Sequence, residues 1–390
     1  MKEFDVIIVG SGPAGSSAAV TALKQGLSVA IIDKATFPRN KLCGGLFTGR
    51  SEKAMNAIFG LDVTPELFLT SDRMRFSAKG KVLADITDAP PVHLTMRRDF
   101  DAMLHEQAVQ KGAVTFTGKG VADIDEAQKT ISIKSGESFK FKTLIGTDGV
   151  SSFVARHLFG RPFDPETIGF GLEIETPVQP SRDNAVEVDF DAATWGYGWS
   201  FPKKTSMTVG VGGINSRNPD MKANMAAYVD QVDGDETLKY KGHLLPFGDY
   251  RKAPGRGAIV LAGDAAGLVD PITGEGIALA MESGAEAAHA CAEAIKAGAP
   301  DTAFACYTPR VLPIQKDLDQ ACRWRLLMFH QATEGYFKKA FGRGSHLQMK
   351  YLHLLAGDAN YNDLRWALLK RMPKLAFRMV KHKLGIRQPE

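Results

Sequence analysis

The sequence predicts an α/β protein, α+β overall, in which a Rossmann-type domain carries an inserted antiparallel β-sheet domain and precedes a helical C-terminal region. Three observations predict this arrangement. The chain opens with a strand, a glycine-rich turn and a helix of small residues. Residues 165–214 contain short segments rich in β-branched and aromatic residues, which are typical of antiparallel strands. Beyond Pro313 the pattern of apolar residues is helical.

The opening unit has the order strand, turn, helix, strand. Residues 4–9, FDVIIV, form a buried-strand run that ends in the turn GSGPAG. Residues 16–25 then have the pattern of a helix, and residues 28–33, SVAIID, that of a second strand.

The glycine turn has the spacing of a dinucleotide-binding site. Gly10 permits the tight turn, Gly12 lets the backbone approach a pyrophosphate, and Gly15 allows close contact between helix and strand. Asp33 ends the second strand, where a carboxylate can accept ribose hydroxyls. Together these features predict dinucleotide binding, with a glycine turn used only for packing as the alternative. The motif does not distinguish FAD from NAD.

The later segments alternate between the two domains. Residues 97–111 favour a helix, and three short runs between 120 and 149 predict a small antiparallel meander packed on the Rossmann sheet. The run AIVLAGDAAGLVD is a buried strand that leads into a glycine turn, and Gly276 to Ala297 favour a long helix. We therefore place the Rossmann-type domain at residues 1–70, 95–160 and 250–312. The inserted sheet domain takes residues 71–94 and 161–249, and the helical region takes residues 313–390.

Composition excludes several classes of function. Forty-eight basic and 44 acidic residues leave a net charge of +4, so we expect no nucleic-acid partner. Asp5 interrupts the first apolar run, which argues against a secretory signal. No apolar run reaches the roughly 18 residues that span a bilayer. We therefore expect a cytoplasmic protein.

The four cysteines do not form a recognisable metal or disulfide pattern. Cys43, Cys291, Cys306 and Cys322 are widely separated, and no CxxC pair occurs, so neither a zinc site nor an iron–sulfur cluster is predicted. A reducing compartment disfavours a structural disulfide. For Cys43, in the stretch NKLCGGL, this leaves covalent catalysis or a place beside a redox cofactor.

The C-terminal tail is basic. Residues 365–387 contain eight Lys and Arg side chains interleaved with Leu, Trp, Phe, Met and Val. This composition suits a peripheral contact with anionic lipid at the inner membrane face. Pro373 interrupts any helix there, so a solvated basic face is the alternative.

Four stretches carry a resemblance to a known family. They are GSGPAG with Asp33, KLCGG at 41–45, GYGWSFPK at 196–203, and GDAAGLVDPITGEGIALAMESG at 263–284. With them the chain resembles, over residues 1 to about 320, the FAD-dependent geranylgeranyl reductase family within the p-hydroxybenzoate hydroxylase-like fold. Related aromatic monooxygenases usually carry His where this chain has Gly267, and GQG where it has GEG.

The resemblance implies an FAD-binding domain and assigns its contacts. Flavin needs a carboxylate near its ribityl end and a helix N-terminus near its pyrimidine edge, roles that suit Asp264 and the pair Gly276 and Ile277. By the same resemblance Ala14 contacts the pyrophosphate, Arg97 (or its neighbour Arg98) contacts the flavin, and Val121 contacts the adenine through its backbone. Asp148 of GTDG is expected at a turn near the cofactor, and a purely structural turn is the alternative.

In reductases of this type the K-x-C-G stretch lies near the isoalloxazine, so Cys43 and Gly44 are expected beside the flavin. A thiol there can tune the flavin or donate a proton, which makes Cys43 the candidate catalytic residue; a small buried thiol is the alternative. The aromatic side chains of Trp195, Tyr197 and Trp199 are expected to wall the substrate pocket, unless they only pack the core.

The predicted reaction is reduction of carbon–carbon double bonds in an isoprenoid chain by hydride transfer from reduced FAD. No second strand-linked GxGxxG occurs, so the electron donor is either NAD(P)H bound without its own Rossmann domain or a ferredoxin-like protein. Two alternatives use the same scaffold: a flavin-dependent monooxygenase or halogenase, and a flavoprotein that passes electrons to quinone.

Overall fold

Three β-sheets and nine α-helices make up the described part of the chain in this computed structural model, namely residues 1–363 without 178–182, 236, 344 and 362. The strands are β1 (Lys2–Val9), β2 (Val29–Asp33), β3 (Leu46–Phe47), β4 (Leu69–Ser71), β5 (Met74–Ala78), β6 (Lys81–Ile86), β7 (Val92–Leu94), β8 (Val114–Thr117), β9 (Val121–Asp125), β10 (Thr130–Ile133), β11 (Ser138–Gly146), β12 (Gly169–Pro177), β13 (Val186–Asp189), β14 (Gly196–Pro202), β15 (Ser206–Ile214), β16 (Lys241–Leu245), β17 (Gly255–Arg256) and β18 (Ile259–Leu261). The helices are α1 (Pro13–Lys24), α2 (Gly49–Phe59), α3 (Arg97–Gln110), α4 (Phe153–Phe159), α5 (Met221–Gln231), α6 (Ile277–Lys296), α7 (Ala303–Phe329), α8 (Glu334–Arg343) and α9 (Ser345–Leu355).

The first sheet confirms the predicted Rossmann-type unit. Its order is β17–β18–β11–β1–β2–β8, and all pairs from β18 to β8 are parallel. Val9 pairs with Ile32 on one side and with Gly146 on the other, and Gly146 pairs with Leu261. The carboxyl ends of four strands therefore meet at one edge, where ligands of open α/β sheets bind.

The meander expected between residues 120 and 149 is part of this sheet and does not pack on it as a separate layer. β9 pairs with β10, and β10 pairs antiparallel with the first half of β11. This is possible because β11 has nine residues, of which β18 pairs with only the last three.

Small residues let α1 lie close to both the sheet and α6. A Cβ atom at Gly15 would lie 1.8 Å from the Gly10 carbonyl oxygen, and one at Gly284 would lie 2.1 Å from the Ala14 carbonyl oxygen. Only glycine fits at these two contacts. They bring the N-terminal turn of α1 next to α6 and so bring the glycine turn near the GDAAG segment.

The second sheet has the order β16–β12–β15–β14–β13–β5–β6, and a small sheet, β3–β7–β4, lies beside it. On one face of this sheet, α5 covers apolar residues of β12 and β15; the residues in this cluster include Leu172, Ile174, Val209, Val211, Met225 and Val229. Because side chains alternate along each strand, the opposite face carries the other set of residues. That face carries the candidate site.

The helical region continues the core of the first domain. α7 runs without interruption across residue 313, where the sequence analysis placed a domain boundary, with Pro309 and Pro313 inside the helix. Farther on, Phe341 of α8 packs against Phe76 of the second sheet and against Phe190, which directly follows β13.

Among the described residues, no helix is both long and apolar enough to cross a membrane. The basic segment 365–387 lies outside the described residues, and its peripheral contact with lipid stays a prediction.

Candidate active site

The glycine turn presents free backbone donors at the carboxyl edge of the first sheet. Gly10 has φ +98°, and a Cβ atom there would lie 2.5 Å from the Thr147 carbonyl oxygen. Gly12 is the N-cap of α1, and no side chain caps this helix start. Pro13 has no N–H, so the amides of Ala14 and Gly15 are the first donors of this helix, and they are available to a phosphate. Ala14 lies in this first turn, with its Cβ atom 3.0 Å from the Cβ position of Gly263.

Asp33 is fixed at the end of β2 by backbone donors. Its two carboxylate oxygens accept hydrogen bonds from the amides of Ser11 and Ala35, both 2.8 Å long. The amide of Lys119 donates to the Asp33 carbonyl oxygen at 3.0 Å, which places Val121, at the start of β9, near this end of the edge. Val121 thus follows, by two residues in the chain, a backbone contact with Asp33.

One face of α3 forms a row of polar residues beside the turn. Asp101, fully buried, binds the Arg97 guanidinium through two hydrogen bonds of 2.6 and 2.9 Å, and Arg39 lies 3.0 Å from its second oxygen. One turn later, His105 Nδ1 lies 2.6 Å from the Ser11 hydroxyl. Asp101 and Arg39 were not predicted from the sequence, although the i,i+4 spacing of Arg97 and Asp101 was a visible signal.

Asp264 and the start of α6 lie together beyond the turn. Asp264 belongs to a short 3-10 helix directly after β18, and its Oδ1 lies 3.7 Å from the Cβ position of Gly276. Gly276 is the N-cap of α6 without a side-chain cap, and the buried Ile277 is the first helical residue. Within the described part of the chain, the Asp264 side chain makes no hydrogen bond. The Asp264 carboxylate, which is an acceptor, and the free amides at the start of α6, which are donors, therefore lie side by side.

The Asp148 side chain has a structural role, the alternative given above to a place near the cofactor. Its carboxylate accepts hydrogen bonds from the Ser152 hydroxyl and, at 2.6 Å, from the Phe153 amide. These bonds stabilise the first turn of α4.

The KLCGG loop crosses the site face of the second sheet. Lys41 contacts His243 on β16, the Cys43 amide donates to Glu173 Oε1 on β12 at 3.1 Å, and Gly44 lies against β14. A Cβ atom at Gly44 would be 2.7 Å from the Phe201 ring, and one at Gly45 2.1 Å from the Thr95 carbonyl oxygen. Both glycines are therefore required by close packing.

The Cys43 side chain faces the arginine on α3. Its half-buried thiol accepts from the Gly45 amide at 3.4 Å and interacts electrostatically with Arg97. Lys41, Arg97 and Asp264 all interact electrostatically with His243. The loop thus joins the carboxyl edge of the first sheet to the face of the second.

The register of the second sheet defines the floor of the site. Trp199, Gly210, Glu173 and Lys241 are successive cross-strand partners, and so are Tyr197, Gly212, Gly171 and His243. The Trp199 ring lies over Gly210, whose Cβ atom would be 2.4 Å from it. The floor is therefore aromatic on β14, bare on β15 and polar on β12 and β16.

The three predicted aromatic residues are not equivalent. Tyr197 and Trp199 face the site, with ring centroids 6.0 Å apart, and the Tyr197 hydroxyl donates to the Thr273 carbonyl oxygen at 2.7 Å. Burial raises the pKa of Tyr197. Trp195 precedes β14 with φ +54°, and its ring contacts the guanidinium groups of Arg217 and Arg325 instead.

Three ionisable residues of the site were missed from the sequence: Lys41 in the KLCGG loop, and Glu173 and His243 on the floor. Burial raises the pKa of Glu173 to about 7. Burial, followed by the charge of Lys41, lowers the pKa of His243 to about 4, and burial also lowers the pKa of Lys41. The acids at alternate positions in GLEIET were a signal for a polar face on this strand.

The residues present fit an FAD molecule. Two uncapped helix starts, the oriented carboxylate of Asp33 and the free carboxylate of Asp264 lie along one edge. At the loop, Trp199 Nε1 is buried without a hydrogen-bond partner among the described residues, 3.2 Å from the Cβ position of Gly44. The arrangement offers donors for a diphosphate and a polarised place for a flavin ring.

Comparisons with known proteins agree with this geometry. A family model described as FAD dependent oxidoreductase matches residues 5–113. The chain is 34% identical over 305 residues to an uncharacterized protein of Methanosarcina barkeri, with 76% of this chain and 77% of the relative covered. It is 30% identical over 321 residues to a geranylgeranyl diphosphate reductase of Rhodobacter capsulatus, with the same coverage. It is 30% identical over 312 residues to a menaquinone reductase of Mycobacterium tuberculosis, covering 73% and 76%.

Solved structures show the same fold. A geranylgeranyl bacteriochlorophyll reductase-like protein of Thermoplasma acidophilum superposes with a TM-score of 0.72 at 21% identity, covering 91% of this chain and 92% of the other. A flavin-dependent brominase superposes with a TM-score of 0.71 at 20% identity, covering 96% and 100%. From the sequence relatives together with this fold, we conclude that the chain is an FAD-dependent oxidoreductase that belongs to the geranylgeranyl reductase family, with FAD as its cofactor.

Proposed function

We propose that this oxidoreductase reduces carbon–carbon double bonds of an isoprenoid chain. The observation that carries the proposal is the position of the KLCGG loop, between the Asp264 and α6 edge on one side and the aromatic strand β14 on the other. An apolar chain on β14 would thus lie next to a flavin at that edge. Relatives named geranylgeranyl diphosphate reductase and menaquinone reductase support an apolar substrate.

The residues along the edge would hold FAD in extended form. Asp33 and the Val121 backbone would bind the adenosine, and the amides around Gly12 and Ala14 the diphosphate. Toward the flavin end, Arg97 would contact the ring system, Asp264 would accept from the ribityl chain, and the amides of Gly276 and Ile277 would face the pyrimidine edge. The positive end of the α6 dipole stabilises negative charge there.

Bound and reduced, FAD supplies a hydride to an alkene carbon. The protein must hold that carbon close to the donor and keep water away, because an isolated alkene is a weak acceptor. Tyr197 and Trp199 provide an apolar surface for alignment, and Cys43 and Gly44 border the place where ring and substrate would meet. The raised pKa of Tyr197 keeps its phenol neutral.

We expect the electrons to reach FAD from NAD(P)H or from a ferredoxin-like protein. Both are compatible with a site that has one glycine-turn domain. Steady-state oxidation of each donor by the purified protein, measured with and without lipid, distinguishes them.

The function is tested in the absence of oxygen. The purified protein is reduced with dithionite, mixed with geranylgeranyl-bearing lipid, and followed by the visible absorbance of oxidised flavin and by the mass of the lipid. The proposal predicts reoxidation with gain of two hydrogens per flavin oxidised. Flavin that stays reduced with the lipid, but is reoxidised by oxygen or by a quinone, would instead indicate a monooxygenase or an electron-transfer flavoprotein.

A further inference from the structure

Glu173 occupies the boundary between the aromatic and the polar parts of the site floor. Glu173 and Trp199 are both cross-strand partners of Gly210, one on each side, so their Cα atoms lie about 10 Å apart and the residue between them is a glycine. The Trp199 ring extends over Gly210 into this gap. A chain aligned on β14 therefore passes the Glu173 carboxyl.

The Cys43 amide fixes the position of this carboxyl. It donates to Glu173 Oε1 at 3.1 Å, across 130 residues of sequence. Since Cys43 and Gly44 are the predicted neighbours of the isoalloxazine, the hydrogen bond ties the acid to the place where hydride transfer would occur.

The charged neighbours of Glu173 already have other partners. Lys41 contacts His243, and Lys203 is hydrogen-bonded to Thr208 and Glu175. Within the described residues, no cation lies within 4.0 Å of the Glu173 carboxyl. The titratable and charged groups that face it from the packed elements are Lys41 and Cys43 of the loop, Glu175 of β12, Lys203 after β14, and Lys241 and His243 of β16.

This environment favours a protonated carboxyl. Burial, with a smaller contribution from the charge of Glu175, raises the pKa of Glu173 to about 7, although the charges of Lys203 and Lys41 and the hydrogen bond from the Cys43 amide act in the opposite direction. An acid whose pKa lies near the working pH is effective in proton transfer. β16 is the edge strand of the sheet, so His243 and Lys241 connect this part of the floor to solvent.

We propose that Glu173 is the acid that provides the proton for the second alkene carbon; this assignment rests on the proposed function. One alkene carbon gains the hydride that reduced FAD supplies, and the other gains the proton of the Glu173 carboxyl. The π bond is replaced by two C–H bonds, and Glu173 is left as a carboxylate. A proton from water, entering at the β16 edge, restores the acid.

The decisive variant is Glu173→Gln, which keeps an acceptor for the Cys43 amide but has no acidic proton. Glu187→Gln is the matched control, because Glu187 lies on the same sheet, faces the other side and pairs with Arg75. Single-turnover reoxidation of the reduced protein by the lipid is measured on both sides of pH 7 for all three proteins. FAD content and visible spectra verify folding.

For the wild type we expect a rate constant that falls as the pH rises through about 7. Glu173→Gln should lower the rate about 100-fold or more and abolish this pH dependence, with an unchanged flavin spectrum. Glu187→Gln should behave as the wild type. Partial recovery in Glu173→Asp would identify the acid itself as the required group.

A Glu173→Gln protein with the wild-type rate and pH profile would overturn the assignment of Glu173 alone. Absence of any lipid-dependent reoxidation in the wild type would overturn the proposed function together with this step. Infrared spectra give an independent measure: the difference between the wild-type and Glu173→Gln spectra should contain a protonated carboxyl band that disappears as the pH rises through about 7. Absence of that band from this difference below pH 7 would contradict the assignment.

Discussion

Glu275 is the central residue of the GEG segment, and its side chain faces away from the predicted flavin edge. Its carboxylate accepts hydrogen bonds from the hydroxyls of Thr48 and Ser51. Burial raises its pKa from 4.5 to about 7, although the Thr48 hydrogen bond lowers it. The charged form is therefore less favourable in the folded protein than in the unfolded chain.

This shift predicts a pH-dependent stability. The contribution of Glu275 is fully present below pH 4.5 and is lost as the pH rises through about 7, because the folded state binds its proton more tightly. Glu275→Gln should therefore raise the free energy of unfolding by on the order of 2 kcal/mol above pH 7 and leave it nearly unchanged in acid. Urea unfolding at both pH values measures this, and equal effects at both would contradict it.

Gly44 lies where the packing leaves no room for a side chain. Gly44→Ala would place a Cβ atom 2.7 Å from Phe201, and the loop would have to move away from β14. We expect a loss of about 1–3 kcal/mol in stability and a shifted flavin spectrum. Gly335→Ala is the control, since a Cβ atom there meets nothing within 4 Å and alanine favours the helix. A Gly44→Ala protein with an unaltered spectrum would show that the loop does not border the flavin.

At the scale of elements, α3 holds the centre of the site through one buried acid. Asp101 neutralises both Arg97 and Arg39, so its removal leaves two cations near the glycine turn without their partner. Breaking a buried pair from one side is costly because the remaining charge stays desolvated.

We therefore expect Asp101→Asn to destabilise the protein by about 3 kcal/mol and to weaken FAD retention at least tenfold. Asp99→Asn, on the same helix, removes the exposed contact with Arg98 and should change stability by less than about 0.5 kcal/mol. Urea unfolding and FAD release on dilution are the two measurements. Wild-type FAD retention in Asp101→Asn would show that Arg97 does not depend on this acid.

At the scale of the whole molecule, the helical region is tied to the segment before α6. The Tyr361 hydroxyl donates to Asp270 Oδ2 at 2.7 Å, and both residues are buried. Asp270 Oδ1 accepts from the amides of Ile272 and Thr273. The Tyr197 hydroxyl of β14 donates to the Thr273 carbonyl oxygen, so the segment before α6 is bound both by the second sheet and by the C-terminal region.

Tyr361→Phe tests this connection between regions. We expect a loss of about 1–3 kcal/mol, because Asp270 keeps a buried oxygen without its donor, and faster release of FAD from the α6 end. Tyr240→Phe, a partly buried tyrosine beside α5, is the control. If Tyr361→Phe changed stability but not the FAD release rate, the C-terminal region would support the fold without influencing the cofactor site.

The sequence by itself determined the parts of this protein that depend on neighbouring residues. The turn between β1 and α1, the acid at Asp33, the long helix α6 and the glycines of KLCGG are local patterns, because tight turns and apolar periodicity are decided within a few residues. FAD and the fold class followed from these patterns and from the family resemblance.

The tertiary structure decided which distant side chains meet. Glu173 is brought to Cys43 across 130 residues and His243 to Lys41 across 202, and Arg39, in the loop after β2, joins Asp101 on α3. The contacts of Glu173 and His243 depend on strand register, which is set by burial of one face of β12 and β15 against α5 and not by any short stretch. The same register places Tyr197 and Trp199 on the floor, whereas Trp195 precedes the strand and turns away.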